Sequence, residues 1–305
     1  MSNMINGIIN VYKEKGYTSH DVVAKLRGIL RQKKIGHTGT LDPDAEGVLP
    51  VCLGRGTKLC DMLTDKDKTY RAVMRLGVVT DTQDSSGTIL EENDVAGLNE
   101  EIVKEAILKF VGEYDQIPPM YSALKVNGKK LYELARQGIE IERKARKVNI
   151  YDINIEDINL PYVTMTVSCS KGTYIRTLCH DIGLELNVGA CMDRLIRTKV
   201  SIFNIEKSLK LEDIERLRDE SRLDEVVVKI DDIFKEYPAI VVKKEFAKLL
   251  YNGNPITNAN ILRIEGKALA DKNMYRVYDY KNDFIGIYAP DKRGIYKVTK
   301  FFYEN

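Results

Sequence analysis

The stretch GHTGTLDPDAEGVLPVCLGRGTK, residues 36–58, differs in kind from the sequence on either side of it. It contains five glycines and two prolines, and its apolar residues follow neither a helical nor a strand period. This predicts a long ordered loop, and long loops in compact domains usually carry function. The stretch has neither the G-x-x-x-x-G-K-S/T spacing of a P-loop nor a G-x-G-x-x-G, so a nucleotide cofactor is not indicated.

Asp42 is the candidate reactive group of this stretch. Pro43 fixes the backbone directly after the carboxylate, and Gly36 and Gly39 allow tight bends before it. His37 lies five residues upstream. Taken alone, the pattern fits two interpretations: a structural turn in which the Asp42 side chain contacts nearby backbone, or a carboxylate presented for chemistry.

On both sides of this stretch, predicted strands alternate with predicted amphipathic helices. The strands are residues 8–12, 68–76 and 162–168, and the helices are residues 19–32 and 99–111. From residue 239 onward, short apolar runs alternate with Gly, Asn and Asp turns, which predicts a small all-β module. We therefore expect a large mixed domain followed by a small β domain.

The charge balance limits how this chain contacts nucleic acid. The 305 residues include 47 Lys and Arg against 45 Asp and Glu, a formal net charge of +2. This excludes a protein that coats nucleic acid by its overall charge, so any nucleic-acid role must come from a local patch. Residues 123–147 hold eight Lys or Arg against three Asp or Glu. Such a run is either a solvated face or a surface for a polyanion.

The five cysteines favour a reducing compartment. Their number is odd and no C-x-x-C occurs, which indicates neither a disulfide framework nor a zinc ribbon. Cys169, Cys179, His180 and Cys191 fit no standard metal-site spacing, so we expect no metal and no cofactor. The sequence shows neither a transmembrane-length apolar run nor a secretory signal pattern, and we predict a cytoplasmic protein.

Four further segments carry distinctive patterns. They are KEKGYTSHDVV (13–23), KTYRAVMRLGVVTDTQDSSG (68–87), PPMYSALKVNGKKLYELARQG (118–138) and CSKGTYIRTLCHDIG (169–183). Together with the glycine-rich stretch, in this order and spacing, they resemble the TruB family of bacterial tRNA pseudouridine-55 synthases over about residues 8–205. FIGIY (284–288) resembles, more weakly, the small PUA-type RNA-binding barrel that many members carry.

The chain departs from the family pattern at three places. Glu14 stands where proline is usual, which changes a turn, and Gly56 replaces another small residue, alanine. Ser201 and Ile202 replace a Gly-Pro pair, which affects the local backbone rather than the chemistry.

The resemblance implies an α+β fold with two domains. Residues 1–236 would form a catalytic domain whose central, largely antiparallel sheet is flanked by helices, with a basic RNA-grasping arm at about 123–147. Residues 237–305 would form a PUA-like RNA-binding β domain. The implied reaction converts uridine 55 in the tRNA T-loop to pseudouridine, without a cofactor or an obligate protein partner. The alternatives are a guide-RNA-dependent synthase and a non-catalytic tRNA-binding or folding chaperone.

The resemblance also assigns three catalytic residues. Asp42 would act as the nucleophile at C1′, or would instead remove the C2′ proton on a route through a glycal. Arg176 would pair with Asp42, keep it ionised and fix its direction. Tyr70 would stack on the uracil after the base has flipped out of the RNA.

The remaining assignments concern substrate binding. His37 would hold the rearranged T-loop, and Tyr174 and Leu195 would line the pocket. The lysines expected to contact RNA phosphates are Lys125, Lys129 and Lys130. His20 and His180 receive no functional role.

Overall fold

The computed structural model describes residues 4–126, 128–266 and 273–304. The strands are β1 Gly7–Lys13, β2 Ile35–His37, β3 Glu46–Leu53, β4 Lys68–Leu76, β5 Val78–Thr80, β6 Ile89–Glu92, β7 Gly112–Gln116, β8 Lys125–Val126, β9 Lys129–Lys130, β10 Arg146–Asn159, β11 Tyr162–Cys169, β12 Ala190–Val200, β13 Phe203–Asn204, β14 Val227–Val228, β15 Ala239–Val242, β16 Ile261–Glu265, β17 Tyr275–Tyr278, β18 Phe284–Pro290 and β19 Tyr296–Phe301. The α-helices are α1 Ser19–Leu30, α2 Cys60–Thr64, α3 Glu100–Leu108, α4 Leu131–Ala135, α5 Ile175–Glu185, α6 Leu211–Asp219 and α7 Ala247–Tyr251.

Ten strands form one large sheet. Its main path is β14-β1-β3-β12-β4-β11-β10-β7, with β2 paired to β3 and β13 paired to β12. Every pairing is antiparallel except that between β3 and β12. Five strands in the order β16-β15-β17-β18-β19 form a small C-terminal β domain. The expected α+β fold with a largely antiparallel central sheet is confirmed.

Helices pack on this sheet in two regions and bury separate cores. α3 and α5 contribute Ile107 and Leu178 to a core with β4 and β11. α1 and α6 contribute Leu26 and Ile214 to a core with β1 and β3. One core therefore packs against β4 and the other against β3, the two strands on either side of β12 in the sheet.

The prediction of a continuous loop over residues 36–58 was wrong. This region contains β2 and β3, and only the segment 38–45, called the Asp42 loop below, is irregular. β3 lies between β1 and β12 and is almost entirely buried, so its apolar residues run together instead of alternating. Gly47 within β3 has φ +105, and a Cβ there would lie 2.2 Å from the Arg197 carbonyl oxygen. The glycine therefore permits close strand contact rather than a loop.

The other predicted elements of the large domain are present, with ends that differ by up to three residues. α1 begins after Thr18, whose hydroxyl accepts a hydrogen bond from the Asp21 amide while Asp21 bonds back to Thr18. It ends at Leu30 because Arg31 adopts a left-handed conformation, φ 48. The C-terminal module also contains the short helix α7, so it is not purely β.

A third core joins the C-terminal β domain to the large sheet. Ile287 and Phe302 pack in one buried cluster with Ile8, Leu59 and residues of the segment that connects the domains. At the rim, a Glu304 carboxylate oxygen lies 3.0 Å from the Lys34 ammonium and 3.4 Å from that of Lys58. The two domains thus share buried apolar surface.

Candidate active site

A cleft of about 1230 Å³ opens where β3, β4 and β12 meet the start of α5. The Asp42 loop forms one wall, and the segment between residues 121 and 136 reaches over from another side. Its lining includes the predicted residues Asp42, Tyr70, Tyr174, Arg176, Leu195 and Lys130. The structure therefore brings together side chains that lie far apart in the sequence.

Buried side chains hold the backbone of the Asp42 loop on both sides of the aspartate. The Leu41 amide donates to the Ser19 hydroxyl at 2.9 Å. The Lys13 ammonium, which is fully buried, donates to the Pro43 carbonyl at 3.0 Å. The Asp42 side chain itself is 45% exposed and faces the cleft. The loop thus presents a carboxylate to solvent from a fixed backbone.

Arg176 connects the Asp42 loop to the opposite wall. Its side chain is 7% exposed and lies 3.1 Å from an Asp42 carboxylate oxygen and 3.4 Å from one of Asp84. It also donates to the carbonyls of Thr82, at 3.1 Å, and Tyr121, at 2.8 Å. A cation in the first turn of a helix is unfavourable, and the two carboxylates offset that cost. The sequence resemblance anticipated Asp42 as a partner but not Asp84.

Tyr70 lies on β4, and its ring is buried at the cleft floor. Its cross-strand neighbour on β12 is Arg197. Burial raises the pKa of the Tyr70 hydroxyl, and the neighbouring guanidinium partly opposes this. Tyr70 is therefore a neutral aromatic wall at physiological pH.

Arg197 is a site residue that sequence reasoning missed. Its side chain is 1% exposed and donates to the carbonyls of Val48 at 2.8 Å, Gly39 at 3.2 Å and Thr40 at 3.5 Å. These partners lie before and after Asp42 in the chain. One guanidinium thus fixes both ends of the segment that carries the aspartate.

Lys68 is a second cation that sequence reasoning missed, although it begins a segment used for the family resemblance. Its ammonium donates to the carbonyls of Thr64 at 2.8 Å and Lys66 at 2.6 Å, at the end of α2. The residue is 8% exposed and lines the cleft. Its position on the same strand as Tyr70 was the only sequence feature that could have indicated that Lys68 lines the cleft.

Tyr174 and Leu195 both line the cleft, as the sequence predicted. Tyr174 caps the start of α5, and the Gln116 side chain holds it by accepting from its amide at 2.8 Å and donating to its carbonyl at 3.0 Å. Burial raises the pKa of the Tyr174 hydroxyl. Leu195 on β12 is buried.

His37 is not among the cleft-lining residues, whereas His20 is. The two imidazoles make an edge-to-face contact with ring centres 5.3 Å apart. Burial lowers the pKa of His37, and the charges of His20 and Arg197 act in the same direction. His37 therefore lies outside the cleft lining and contacts it through His20, for which no functional role was predicted.

The predicted basic arm includes the hairpin of β8 and β9, in which Lys125 pairs with Lys130. Lys125 and Lys129 are exposed, but the Lys130 ammonium lies 5.3 Å from the centre of the Tyr132 ring. The Arg136 guanidinium lies 5.4 Å from the same ring. Lys130, Tyr132 and Arg136 all line the cleft, so one end of the arm belongs to its rim.

The cysteines are free thiols, and Cys169, Cys179 and Cys191 are buried. Within the described ranges, no group of three His, Cys, Asp or Glu side chains is placed to hold a metal ion. His180, like His37, has a pKa lowered by burial. Among the helices of the described residues, none has the length and apolar character that a membrane crossing requires.

Two family models match this chain. The model of the TruB family pseudouridylate synthase N-terminal domain matches residues 27–175, and that of the tRNA pseudouridylate synthase B C-terminal domain matches residues 176–235. The tRNA pseudouridine synthase B of Lachnoclostridium phytofermentans is 54% identical, over 98% of this chain and 100% of that protein. The protein of the same name from Clostridium tetani is 47% identical, over 97% of this chain and 99% of that protein.

Solved structures share the fold. A chain of a Cbf5-Nop10-Gar1 complex is 26% identical with a TM-score of 0.73, over 97% of this chain and 85% of that one. A chain of an H/ACA RNP bound to a substrate RNA containing 2′-deoxyuridine is 24% identical with a TM-score of 0.72, over 98% of this chain and 85% of that one.

Proposed function

This chain belongs to the TruB family of pseudouridylate synthases, and from that premise we propose that it converts uridine 55 in the T-loop of tRNA to pseudouridine. The coarser activity, isomerisation of a tRNA uridine, follows from relatives that match over nearly their whole length. The T-loop position, the aspartate chemistry and the absence of a cofactor belong to the proposal. The observation that supports it best is the ion pair of Asp42 and Arg176 in a cleft floored by Tyr70.

The reaction requires the target base to leave the RNA stack and enter the cleft. Asp42 then faces the sugar, because its carboxylate is fixed by Arg176 yet remains 45% exposed. On one route the carboxylate attacks C1′ and displaces the base. On the other it removes the C2′ proton and a glycal forms. Both routes use the same carboxylate in the same place, and neither needs an external electron donor or acceptor.

The other cleft residues would confine the base while it turns. The Tyr70 ring offers a stacking surface of a kind that contributes about 1–3 kcal/mol per base. Tyr174 and Leu195 would close the pocket beside it. His37, supported by His20, would contact the rearranged T-loop at the rim.

The RNA contacts proposed outside the cleft come from two surfaces. Lys125, Lys129 and Lys130 would bind phosphates of the T-arm, and the exposed positions of the first two suit that role. The PUA-like domain proposed for residues 237–305, joined to a catalytic domain at 1–236, would contact a more distant part of the tRNA. No obligate protein partner is proposed, and the cytoplasm, where tRNA is processed, is the proposed location.

A guide-RNA-dependent synthase remains the second candidate, because the Cbf5 chain of an archaeal box H/ACA sRNP complex shares the fold at 26% identity and a TM-score of 0.70. The relatives named tRNA pseudouridine synthase B match this chain at about twice the identity of the Cbf5 chain, which favours a protein that acts on tRNA directly.

Mapping of pseudouridine in an unmodified tRNA transcript tests the proposal. The purified protein, without guide RNA or added small molecule, should modify position 55 and no other uridine. Once the tRNA is folded, EDTA should leave the rate unchanged. Modification elsewhere, a requirement for guide RNA, or loss of turnover on chelation with recovery on zinc addition would contradict it.

A further inference from the structure

Two buried cations that line the cleft, Lys68 and Arg197, remain after the Asp42–Arg176 pair has been assigned. Lys68 and Tyr70 are two residues apart on β4, so their side chains leave the same face of the strand. Arg197 lies opposite Tyr70 on β12. A Cβ on Gly39 would lie 3.9 Å from both Lys68 Cε and Arg197 Nη1. Both cations therefore adjoin the proposed stacking wall.

Neither cation is neutralised. In the described part of the chain, no carboxylate lies within ion-pair distance of Lys68 or Arg197, and their hydrogen bonds to main-chain groups end on neutral carbonyls. Arg176, in the same cleft, instead contacts two carboxylates. The charge of Arg176 is therefore balanced by carboxylates at the end of the cleft where Asp42 would face the sugar. The charges of Lys68 and Arg197, beside the Tyr70 ring, are not balanced in this way.

Such an arrangement is costly in the resting protein. Burial disfavours the charged form of each group, and the two positive charges repel one another. Burial and the charge of Arg197 lower the pKa of Lys68 to about 8, although Asp65, Asp67 and Cys169 act in the opposite direction. Burial likewise lowers the pKa of Arg197. An anion placed between these groups would relieve both effects.

The reaction proposed above creates such an anion. When the C1′–N1 bond breaks, its electron pair stays on the base, which becomes a uracil anion. C5 of that anion then forms the new bond to C1′, the C5 proton leaves, and N1 gains a proton, so the product has the same atoms as the substrate. Negative charge therefore exists on the ring only between the two bond changes.

We propose that Lys68 and Arg197 stabilise the negative charge of the detached uracil ring while it turns beside Tyr70. This inference rests on the proposed function. It adds the uracil anion to the Asp42 carboxylate as a charged group that the cleft must stabilise. Fixed cations aimed at transient charge in a site that excludes water are an effective catalytic device, because they need no reorganisation at the moment of reaction. Arg197 also holds the Asp42 loop, so Lys68 gives the cleaner test.

The same two cations could instead bind an RNA phosphate. A phosphate contact would strengthen the binding of substrate and would not act on the bond changes. Measuring tRNA affinity and the rate of the chemical step on the same protein therefore distinguishes a uracil anion from an RNA phosphate as the group that the two cations contact.

The test compares wild type, Lys68→Met, Lys68→Arg and the control Lys104→Met, which removes an exposed lysine of α3. Pseudouridine formation is measured under single-turnover conditions with saturating enzyme, beside filter binding and thermal melting. We expect Lys68→Met to slow the chemical step by about 10²-fold, as removal of one stabilising group does elsewhere. Its affinity for tRNA should stay within about threefold, since few phosphate contacts change. Lys104→Met should match wild type.

The pH dependence supplies a second readout that survives if Lys68→Met fails to fold. Lys68 is protonated below its pKa of about 8 and loses its charge above it, so the wild-type rate should fall as pH rises through that value. Arginine keeps its proton up to about pH 12, so Lys68→Arg should lack this fall. Ionisation of tRNA bases affects both proteins equally.

Parallel pH profiles of wild type and Lys68→Arg would overturn the inference. So would a folded Lys68→Met protein with a normal chemical step, whether or not its affinity falls. A wild-type protein that forms no pseudouridine would overturn the proposed function and the inference with it. An active wild type with an insensitive Lys68→Met would overturn the inference alone.

Discussion

Arg176 sets the charge balance around Asp42, the proposed reactive group. It lies between Asp42, which is partly exposed, and Asp84, which is more buried. Because Arg176 also forms an ion pair with Asp84, it orients the Asp42 carboxylate without fully neutralising it. A reactive carboxylate needs both properties, because one that is too strongly stabilised is a weak nucleophile and a weak base.

Asp84→Asn tests whether Asp42 and Asp84 share the positive charge of Arg176. The amide keeps the shape of the side chain but places the whole charge of Arg176 on Asp42, so the single-turnover rate should fall by at least about tenfold. The control is Asp81→Asn, because Asp81 accepts a hydrogen bond from the Thr88 amide at 2.8 Å in the same turn. A rate equal to that of wild type in Asp84→Asn would show that Asp84 only shapes the turn.

At this scale the sequence identifies residues but only some of their partners. Asp42 and Arg176 could be predicted because each lies in a distinctive segment that resembles a known family. Lys68 lies in such a segment too, and its spacing of two residues from Tyr70 puts both side chains on one face of the predicted strand. No local spacing shows that Asp84 faces the cleft. Arg197 carries no local signal at all, since its position depends on the pairing of β12 with both β3 and β4.

Among the elements, β3 marks the end of the Asp42 loop, which begins after its antiparallel partner β2. It is central in the sheet, and Gly47 allows its backbone to approach β12 closely. Sequence periodicity did not reveal this strand, because a strand buried on both faces loses the alternation that marks a half-buried one. Glycine and proline then suggested a loop where the structure has a buried strand.

Gly47→Ala should therefore disrupt the strand contact and the loop together. The new Cβ would lie 2.2 Å from the Arg197 carbonyl oxygen, at a φ of +105 that alanine rarely adopts. We expect a loss of roughly 3 kcal/mol or more in the free energy of unfolding, measured by urea denaturation.

Gly97→Ala is the matched control for this change. A Cβ there meets no atom within 4 Å, and the glycine has no left-handed φ. Its stability should be unchanged or higher by about 0.4–1 kcal/mol, because alanine restricts the unfolded chain. Equal stability of the two variants would contradict the close approach of β3 and β12.

The hairpin of β8 and β9 is a second element with a testable role. Lys125 and Lys129 are exposed on it, whereas Lys130 contacts Tyr132, so the double variant Lys125→Glu/Lys129→Glu changes charge without disturbing packing. Affinity for tRNA should fall, and the slope of log K against log salt should flatten by about one unit for each lost contact. The chemical step at saturating tRNA should change little.

The control for the hairpin makes the same charge change elsewhere. Lys207→Glu/Lys229→Glu alters two exposed lysines beyond the catalytic cleft, and its salt slope should equal that of wild type. If the hairpin variant shows the same slope as this control, the basic run is a solvated face rather than an RNA contact.

For the whole molecule, the shared core fixes the C-terminal β domain on the large sheet. Phe302 is buried among residues of both domains, and Glu304 contacts two lysines of the large domain. The change in residue pattern near residue 238, to short apolar runs separated by turns, predicted a separate small β domain. It could not predict the docking, because the apolar residues that form the joint core look like ordinary core residues of each domain.

Phe302→Ala should weaken both domains at once. Truncation of a buried phenylalanine costs about 3–5 kcal/mol, and here the cavity opens in the core that the domains share. Calorimetry should show a lower melting temperature for the whole chain. Val298→Ala, on the strand β19 that directly precedes Phe302 but partly exposed, should change stability by less than about 1 kcal/mol. An unchanged transition in Phe302→Ala would mean that the domains are stabilised independently.

The central claim is that the Asp42 carboxylate performs the chemistry while the rest of the molecule binds tRNA. Asp42→Asn is nearly isosteric, and its amide oxygen can still accept a hydrogen bond from Arg176, so the fold should persist. The most direct measurement follows pseudouridine formation in unmodified tRNA by wild type and Asp42→Asn, with filter binding on the same preparations. We predict that turnover falls by at least about 10⁴-fold while affinity stays within about tenfold. Substantial pseudouridine formation by a verified Asp42→Asn protein would contradict the account.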